Sequence, residues 1–479
     1  MKHLLGRVGG FLLAGIRHLT TALAGLLTIP LVARILGPDA LGLWALLGMA
    51  AFALGLADLG LGVAVQRAAA RGDARDTRNT IRVAVGVILI VAPLLAVVSY
   101  AFLLDLPDLT PALAADAKRA AIVAFVGGAI GALAIPFRGL LVVRGALKSL
   151  TGVRALAVAL QVGVTWIGLV TMHSLVAPAA GLVAGSLVET LGTARAARAL
   201  DPELRFAPML PGNLEELRSM ISVGGASLAV NVSAILALRF DVVILSRVSP
   251  LATVAAYGVA SRVVDQSFTL AKQTSLALLP RLANREDRSR AVRFGTALLG
   301  GAVASGMGAI VTQGDGVLVA WAGDVARLPE TPIALALLAS AAIIAAGHEV
   351  AAATLTLAGR SAWDAALPLV LGYIVNLVIS LTFAHRLGVV AVAGGTLLGN
   401  AATSVALWAR ARAFLGWRIG AVGSALAPVV AGALVALATG RALSVTGWSG
   451  AIASLVGCVV ATGAGLGAAT IVMRRTATA

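Results

Sequence analysis

Val176-Ala-Pro-Ala-Ala-Gly-Leu-Val-Ala-Gly185 lies over Val390-Ala-Val-Ala-Gly-Gly-Thr-Leu-Leu-Gly399 when the chain is slid along itself by 214 residues. Gly181 then falls on Gly395, and Gly185 on Gly399. The same offset sets Gly145 on Gly359, and an offset of 213 sets Arg34 on Arg247 and Trp44 on Tyr257. Single matches arise easily in Ala/Gly/Leu-rich sequence, but regions this far apart agree to within one residue. Each match lies in or beside an apolar run long enough to cross a bilayer. The chain reads as a duplication of membrane helices.

The composition agrees. Of 479 residues, 59% are hydrophobic and only 12% charged, and the mean hydropathy is +0.97. A soluble protein carries ~25% charged residues to meet water. The spacing predicts fourteen spans, at 9–33, 42–65, 82–104, 119–143, 153–172, 176–198, 219–245, 252–280, 294–320, 331–357, 364–384, 388–408, 419–440 and 448–472. These must be helices, because hydrocarbon satisfies no free backbone groups. Lys2 and Arg7 ahead of an apolar stretch, with Ala22-Leu23-Ala24 behind it, resemble a signal peptide. Arg17 interrupts that stretch and the run continues to Val32, so it reads as an uncleaved first span.

Six spans per repeat is an even number, so both halves keep one orientation and are related by an axis along the membrane normal. This predicts an all-α polytopic protein with an N-terminal six-helix lobe (1–200), a cytoplasmic linker (201–218), a C-terminal six-helix lobe (219–415) and two further helices (416–479). With both termini in the cytoplasm, 26 of the 37 Lys and Arg fall on the inner side, 7 on the outer side and 4 within spans. That bias is the positive-inside pattern, and it accounts for the net charge of +16 without nucleic acid.

Five His and one Cys give no Cys/His metal cluster and no disulfide framework. There is no Walker loop, no HExxH motif and no Ser/His/Asp set on a shared surface. The loops are too short for a soluble catalytic or nucleotide-binding domain. The expectation is a non-enzyme without cofactor, driven by a gradient of H⁺ or Na⁺ or by the membrane potential.

Ionisable groups inside spans are costly and become functional candidates. Arg17, Arg239, Arg262 and Lys272 are the intramembrane cations, and Asp58, Glu189, Asp241, Asp265 and Glu349 the carboxylates. Thr21 shares a helical face with Arg17. Arg262, Gln266, Thr269 and Gln273 form one stripe of the eighth span, with Ser261, Asp265, Lys272 and Ser275 about 100° away. Asn231, Tyr373, Asn376 and Asn400 are further polar candidates for a cavity, beside Ser380, Thr396 and Thr403. Each has a plainer reading. Small polar residues join membrane helices by hydrogen bonds, Arg262 and Asp265 are spaced to neutralise each other, and Arg239 and Lys272 are near enough to helix ends to snorkel. Asp265 is the first choice for ion coupling, because it shares the polar side of its helix with Lys272.

Thr28-Ile-Pro-Leu-Val-Ala-Arg-Ile-Leu-Gly-Pro-Asp-Ala-Leu-Gly-Leu-Trp-Ala45 and Asp58-Leu-Gly-Leu-Gly-Val-Ala-Val-Gln-Arg67 resemble the polysaccharide-transporter (Wzx-type) flippases. These belong to the multidrug/oligosaccharidyl-lipid/polysaccharide (MOP) exporter superfamily. Arg239-Phe-Asp-Val-Val-Ile-Leu245, Ala256-Tyr-Gly-Val-Ala-Ser-Arg262 and Leu278-Leu-Pro-Arg-Leu-Ala283 are similar to the family's seventh and eighth helices. The resemblance implies two six-helix lobes in a V around a central cavity. It also implies alternating-access export of an undecaprenyl- or decaprenyl-diphosphate-linked glycan across the bacterial cytoplasmic membrane, in company with a polysaccharide polymerase and glycosyltransferases. Arg17, Arg239, Arg262 and Lys272 are then the candidates to hold the diphosphate. The alternatives are a lipid II flippase or a cation-coupled multidrug antiporter. Lipid II flippases typically carry an arginine within helix two, where this chain has none before Arg67, and drug antiporters usually have twelve helices.

Overall fold

The computed structural model describes residues 24–104, 109–205, 207–212, 240–359, 361, 363–445 and 451–478. Among them every regular element is helical, and eleven helices are long and apolar enough to cross a bilayer. Of the three other expected spans, the first is described from Ala24 onward and the seventh lies mostly outside the described residues. The eighth is one continuous helix whose polar stripe lowers its hydropathy. The chain divides into two compact units, Met1–Ile235 and Leu236–Ala479.

Unit 1 contains α1 (Ala24–Leu36), α2 (Pro38–Ala53), α3 (Leu61–Arg71), α4 (Ala74–Leu104), α5 (Pro111–Ala132), α6 (Ala134–Val143), α7 (Leu147–Met172) and α8 (Val176–Leu200). The second span, expected to run to 65, stops at Asp58 after a 3-10 turn over Leu54–Asp58. Leu59 and Gly60 take positive φ of 48° and 81°, a conformation that ends a helix. Both Asp58 carboxylate oxygens then accept the Gly62 amide, at 2.9 and 3.1 Å, and so start α3. That helix is amphipathic, with Leu61, Ala64, Val65, Ala68 and Ala69 buried and Gln66, Arg67, Ala70 and Arg71 exposed.

The segment expected as a linker begins against this unit. Arg78 of α4 pairs with Asp201 at 3.1 Å and with Glu203. The Arg82 Nε donates to the Ala207 carbonyl, and the Met209 amide donates back to the Arg82 carbonyl at 3.0 Å. Leu204 is buried with the unit's core.

Unit 2 contains α9 (Phe240–Val248), α10 (Leu251–Ala283), α11 (Arg288–Gln313), α12 (Asp315–Ala322), α13 (Glu330–Ala358), α14 (Trp363–Leu387), α15 (Val389–Leu415), α16 (Ile419–Val445) and α17 (Ala451–Thr478). The last two are the helices appended to the repeat, and they pack on α11 through small residues. A methyl group on Gly432 would lie 2.9 Å from the Ser305 Oγ, and one on Gly465 2.6 Å from it. Gln313 donates to the Gly440 carbonyl. Without a hydrophobic force between helices in lipid, such close approach is what holds them together.

The glycines that revealed the duplication have one job in both units. A methyl group on Gly181 would come within 2.5 Å of the Gln161 carbonyl on α7. One on Gly395 would come within 2.6 Å of the Asn376 Oδ1 on α14. The pairs α7–α8 and α14–α15 therefore cross at matching places, with matching backbone approach. The outward sides of these helices carry exposed Leu156, Trp166, Leu191, Ile374 and Val405, as hydrocarbon requires.

Candidate functional site

Asp241 is the second described residue of α9 and is 1% exposed. Three helices deliver donors to it. The Tyr257 hydroxyl of α10 donates to Oδ2 at 2.6 Å, the Thr396 hydroxyl of α15 donates to the same oxygen at 2.8 Å, and the Asn376 amide of α14 donates to Oδ1 at 3.4 Å. A second ring of bonds holds the donors. The Ser380 hydroxyl donates to the Asn376 Oδ1 at 3.1 Å, and the Asn400 amide donates to the Thr396 carbonyl at 2.9 Å. Gly395 permits this convergence, since any side chain there would displace Asn376.

Among the described residues no lysine or arginine forms an ion pair with Asp241. A buried anion needs a balancing charge. The donors offset part of that cost as charge-assisted hydrogen bonds. Thr396 has a built-in alternative: its hydroxyl also lies 3.3 Å from the Val392 carbonyl. Turned that way it presents a lone pair to an incoming cation, beside the carboxylate. Hard oxygen donors of this kind suit Na⁺ as well as a proton.

The other candidates fall in different places. Arg17, Thr21, Asn231 and Arg239 lie outside the described residues. Lys272 lies on α10, as do Arg262, Asp265 and Gln266. Arg262 is half-buried and its carbonyl accepts from the Gln266 amide at 3.4 Å. Asp265 is half-buried and close enough to Tyr257 to act on it electrostatically. Glu349 of α13 acts in the same way on Tyr373 of α14. Asn376 and Asn400 join the Asp241 site.

In unit 1 Glu189 is not isolated. Arg138 of α6 reaches one of its oxygens at 3.1 Å, and Arg154 of α7 reaches the other. Both arginines count among the 26 inner-side cations, and sequence alone does not show that they reach the sixth span. In the sequence Tyr257 stands out as the repeat partner of Trp44 and within the motif Ala256–Arg262, not as a member of a site. Its polarity, one helix away from an aspartate, was the available signal.

A family model described as polysaccharide biosynthesis protein matches residues 8–284. The chain belongs to that family. The matched region ends with α10, so it includes Asp241 and Tyr257 of the polysaccharide biosynthesis family fold and stops short of Asn376 and Thr396. No curated protein matches the chain. Among solved structures, the lipid II flippase MurJ in an inward closed conformation is similar at a TM-score of 0.74 and 11% identity, over 94% of this chain and 97% of MurJ. An inward-facing multidrug resistance MATE family transporter of the MOP superfamily is similar at 0.64 and 16% identity, over 84% and 98%. The eukaryotic MATE transporter AtDTX14 is similar at 0.64 and 13% identity, over 89% and 99%. At these identities the likeness is one of fold. This polysaccharide biosynthesis family member is a multi-pass membrane protein with the MOP exporter fold.

Proposed function

We propose that the chain is a flippase that moves a polyprenyl-diphosphate-linked oligosaccharide from the inner to the outer leaflet of a bacterial cytoplasmic membrane. Transport is by alternating access, and H⁺ or Na⁺ taken up at Asp241 supplies the coupling. The family's link to polysaccharide synthesis supports the glycan, and the MOP fold supports transport. A buried carboxylate with donors from three helices is the observation that carries the coupling. Arg17, Arg239, Arg262 and Lys272 are the proposed holders of the diphosphate. Glycosyltransferases would supply this substrate and a polymerase would consume it.

The cytoplasm is electrically negative, so outward movement of anionic charge is downhill by ~2.3 kcal/mol per charge per 100 mV. Cationic residues that neutralise the diphosphate and move with it cancel this advantage. An inward-moving cation restores it, and a carboxylate whose donors can turn away provides the place for one.

The test is a deletion strain complemented with wild type or Asp241→Asn, scored for surface glycan and for lipid-linked intermediate. The reading expects the intermediate to accumulate on the inner leaflet in the deletion and in the variant. Replacing Na⁺ by K⁺ at fixed pH halts export if Na⁺ is coupled, and collapsing the pH gradient halts it if H⁺ is. Drug sensitivity with no accumulated intermediate would favour an antiporter, and accumulated lipid II would favour that substrate instead.

A further inference from the structure

The end of unit 1 that the arginine distribution places in the cytoplasm is held together by one hydrophobic cluster. It joins Leu61 and Val65 of α3, Ile81 of α4, Phe137 and Leu140 of α6, Leu150 of α7, Ala197 of α8 and Leu204 beyond it. Cations carried by these segments therefore share one packed end rather than six separate loops. Arg67, Arg75, Arg144, Lys148, Arg195 and Arg198 are all exposed. None of the six forms an ion pair among the described residues, and the nearby carboxylates are engaged. Asp76 pairs with Arg71, Asp201 and Glu203 pair with Arg78, and Asp73 accepts the Asp76 amide.

A second observation fixes the height of these cations. Along α7 the exposed positions Leu160, Leu156, Gly152 and Lys148 follow each other at four-residue steps, which places them on one helical face. Along α8 the exposed Leu187, Leu191 and Arg195 do the same. Exposed Val142 and Val143 end α6 immediately before Arg144. On three helices the lipid-facing apolar surface thus ends in a cation. That is where hydrocarbon gives way to headgroup phosphate, and long basic side chains reach it by snorkelling.

We propose that this end of unit 1 is a binding surface for anionic glycerophospholipids, whose headgroup phosphates sit between Arg67, Arg144, Lys148 and Arg195 while their acyl chains lie along the exposed leucines of α7 and α8. Guanidinium groups match phosphate oxygens in geometry as well as charge. Unit 2 offers less at its corresponding end, because three of its arginines are committed within the protein. Arg288 lies 5.3 Å over the Phe414 ring and donates to the Leu282 carbonyl, and Arg293 lies 5.1 Å over the Trp417 ring. Arg410 donates to the carbonyls of Trp363 and Asp364. The inference is independent of what the protein transports.

The experiment measures binding of dioleoyl phosphatidylglycerol to the purified full-length chain by native mass spectrometry, and the rise in Tm the lipid gives in phosphatidylcholine nanodiscs. The triple variant Arg67→Gln/Lys148→Gln/Arg195→Gln is compared with Arg285→Gln/Arg290→Gln/Arg418→Gln, which removes as many charges from exposed sites of unit 2. The first is expected to weaken phosphatidylglycerol binding by about thirtyfold and to abolish the Tm rise. The second is expected to stay within about twofold of wild type. Equal loss in both triple variants, or no loss in the first, overturns the proposal. So does displacement of the phospholipid by equimolar undecaprenyl diphosphate, which would make this a site for the polyprenyl carrier. If the triple variant does not fold, Lys148→Gln and Arg195→Gln alone should each weaken binding by about threefold, and unchanged binding in both overturns the idea as well.

Discussion

Removing the Tyr257 hydroxyl and removing the Asp241 charge are different perturbations of one site. Tyr257→Phe deletes a donor and leaves the carboxylate and its other two partners in place. A hydrogen bond to a charged group is worth about 1.5–3 kcal/mol, so export should slow by about one to two orders of magnitude. Asp241→Asn preserves the shape, but its amide nitrogen now opposes a donor and no charge remains to attract a cation. Export should fall to the level of the empty vector at equal membrane abundance. Asp265→Asn, at a half-buried position on α10, is expected to be the milder change of the two aspartates. A surface-glycan assay in which Asp265→Asn was dead and Asp241→Asn normal would return the coupling role to Asp265.

At the scale of elements, the helix pairs are more exposed to mutation than the loops. Gly395→Ala pushes a methyl group to 2.6 Å from the Asn376 Oδ1. Overpacking of this kind costs about 1–3 kcal/mol, and here it also dislodges a donor of the site. Gly163→Ala in α7 meets nothing within 4 Å and gains about 1 kcal/mol of helix propensity. Thermal unfolding in detergent should therefore lower Tm for the first variant and leave it level or higher for the second. Glu189→Gln leaves Arg138 and Arg154 facing a neutral group and loosens the junction of α6, α7 and α8. A double-mutant cycle between Glu189 and Arg154 should return a coupling of about 0.5–3 kcal/mol. The repeat-related glycines could be read from the sequence because close helix approach leaves a mark of its own, a small residue at a fixed offset. The Asp241 site could be read only in pieces. Asp241, Asn376 and Asn400 stood out singly as polar residues in apolar runs, while their convergence depends on how four helices are rotated about their axes. Spacing along one helix carries no information about that rotation. Charge sorting counts Arg138 and Arg154 on the inner side but carries no information about which carboxylate their long side chains reach.

For the molecule as a whole, the arginine distribution makes a claim about orientation. Single cysteines at the exposed positions Lys118 and Arg386, introduced after Cys458→Ala, should react with a membrane-impermeant thiol reagent in intact spheroplasts. Cysteines at the exposed positions Arg75 and Arg285 should react only after the membrane is opened. The opposite pattern would reverse the direction of transport along with the topology. The contact between α11 and the last two helices bears on how such a chain is made. Ser305 and Gln313 enter the membrane with α11, but Gly465, whose close approach packs α17 against Ser305, is synthesised some 160 residues later. At about 5–20 residues per second the ribosome leaves that polar stripe uncovered for roughly 8 to 30 seconds. Until Gly440 of α16 is made, 127 residues after Gln313, the nascent protein depends on an insertase or a neighbouring helix to shield the Gln313 amide from lipid. A chain that stalls before α16 keeps the stripe uncovered, and membrane proteases then have a ready means of telling it from a finished one.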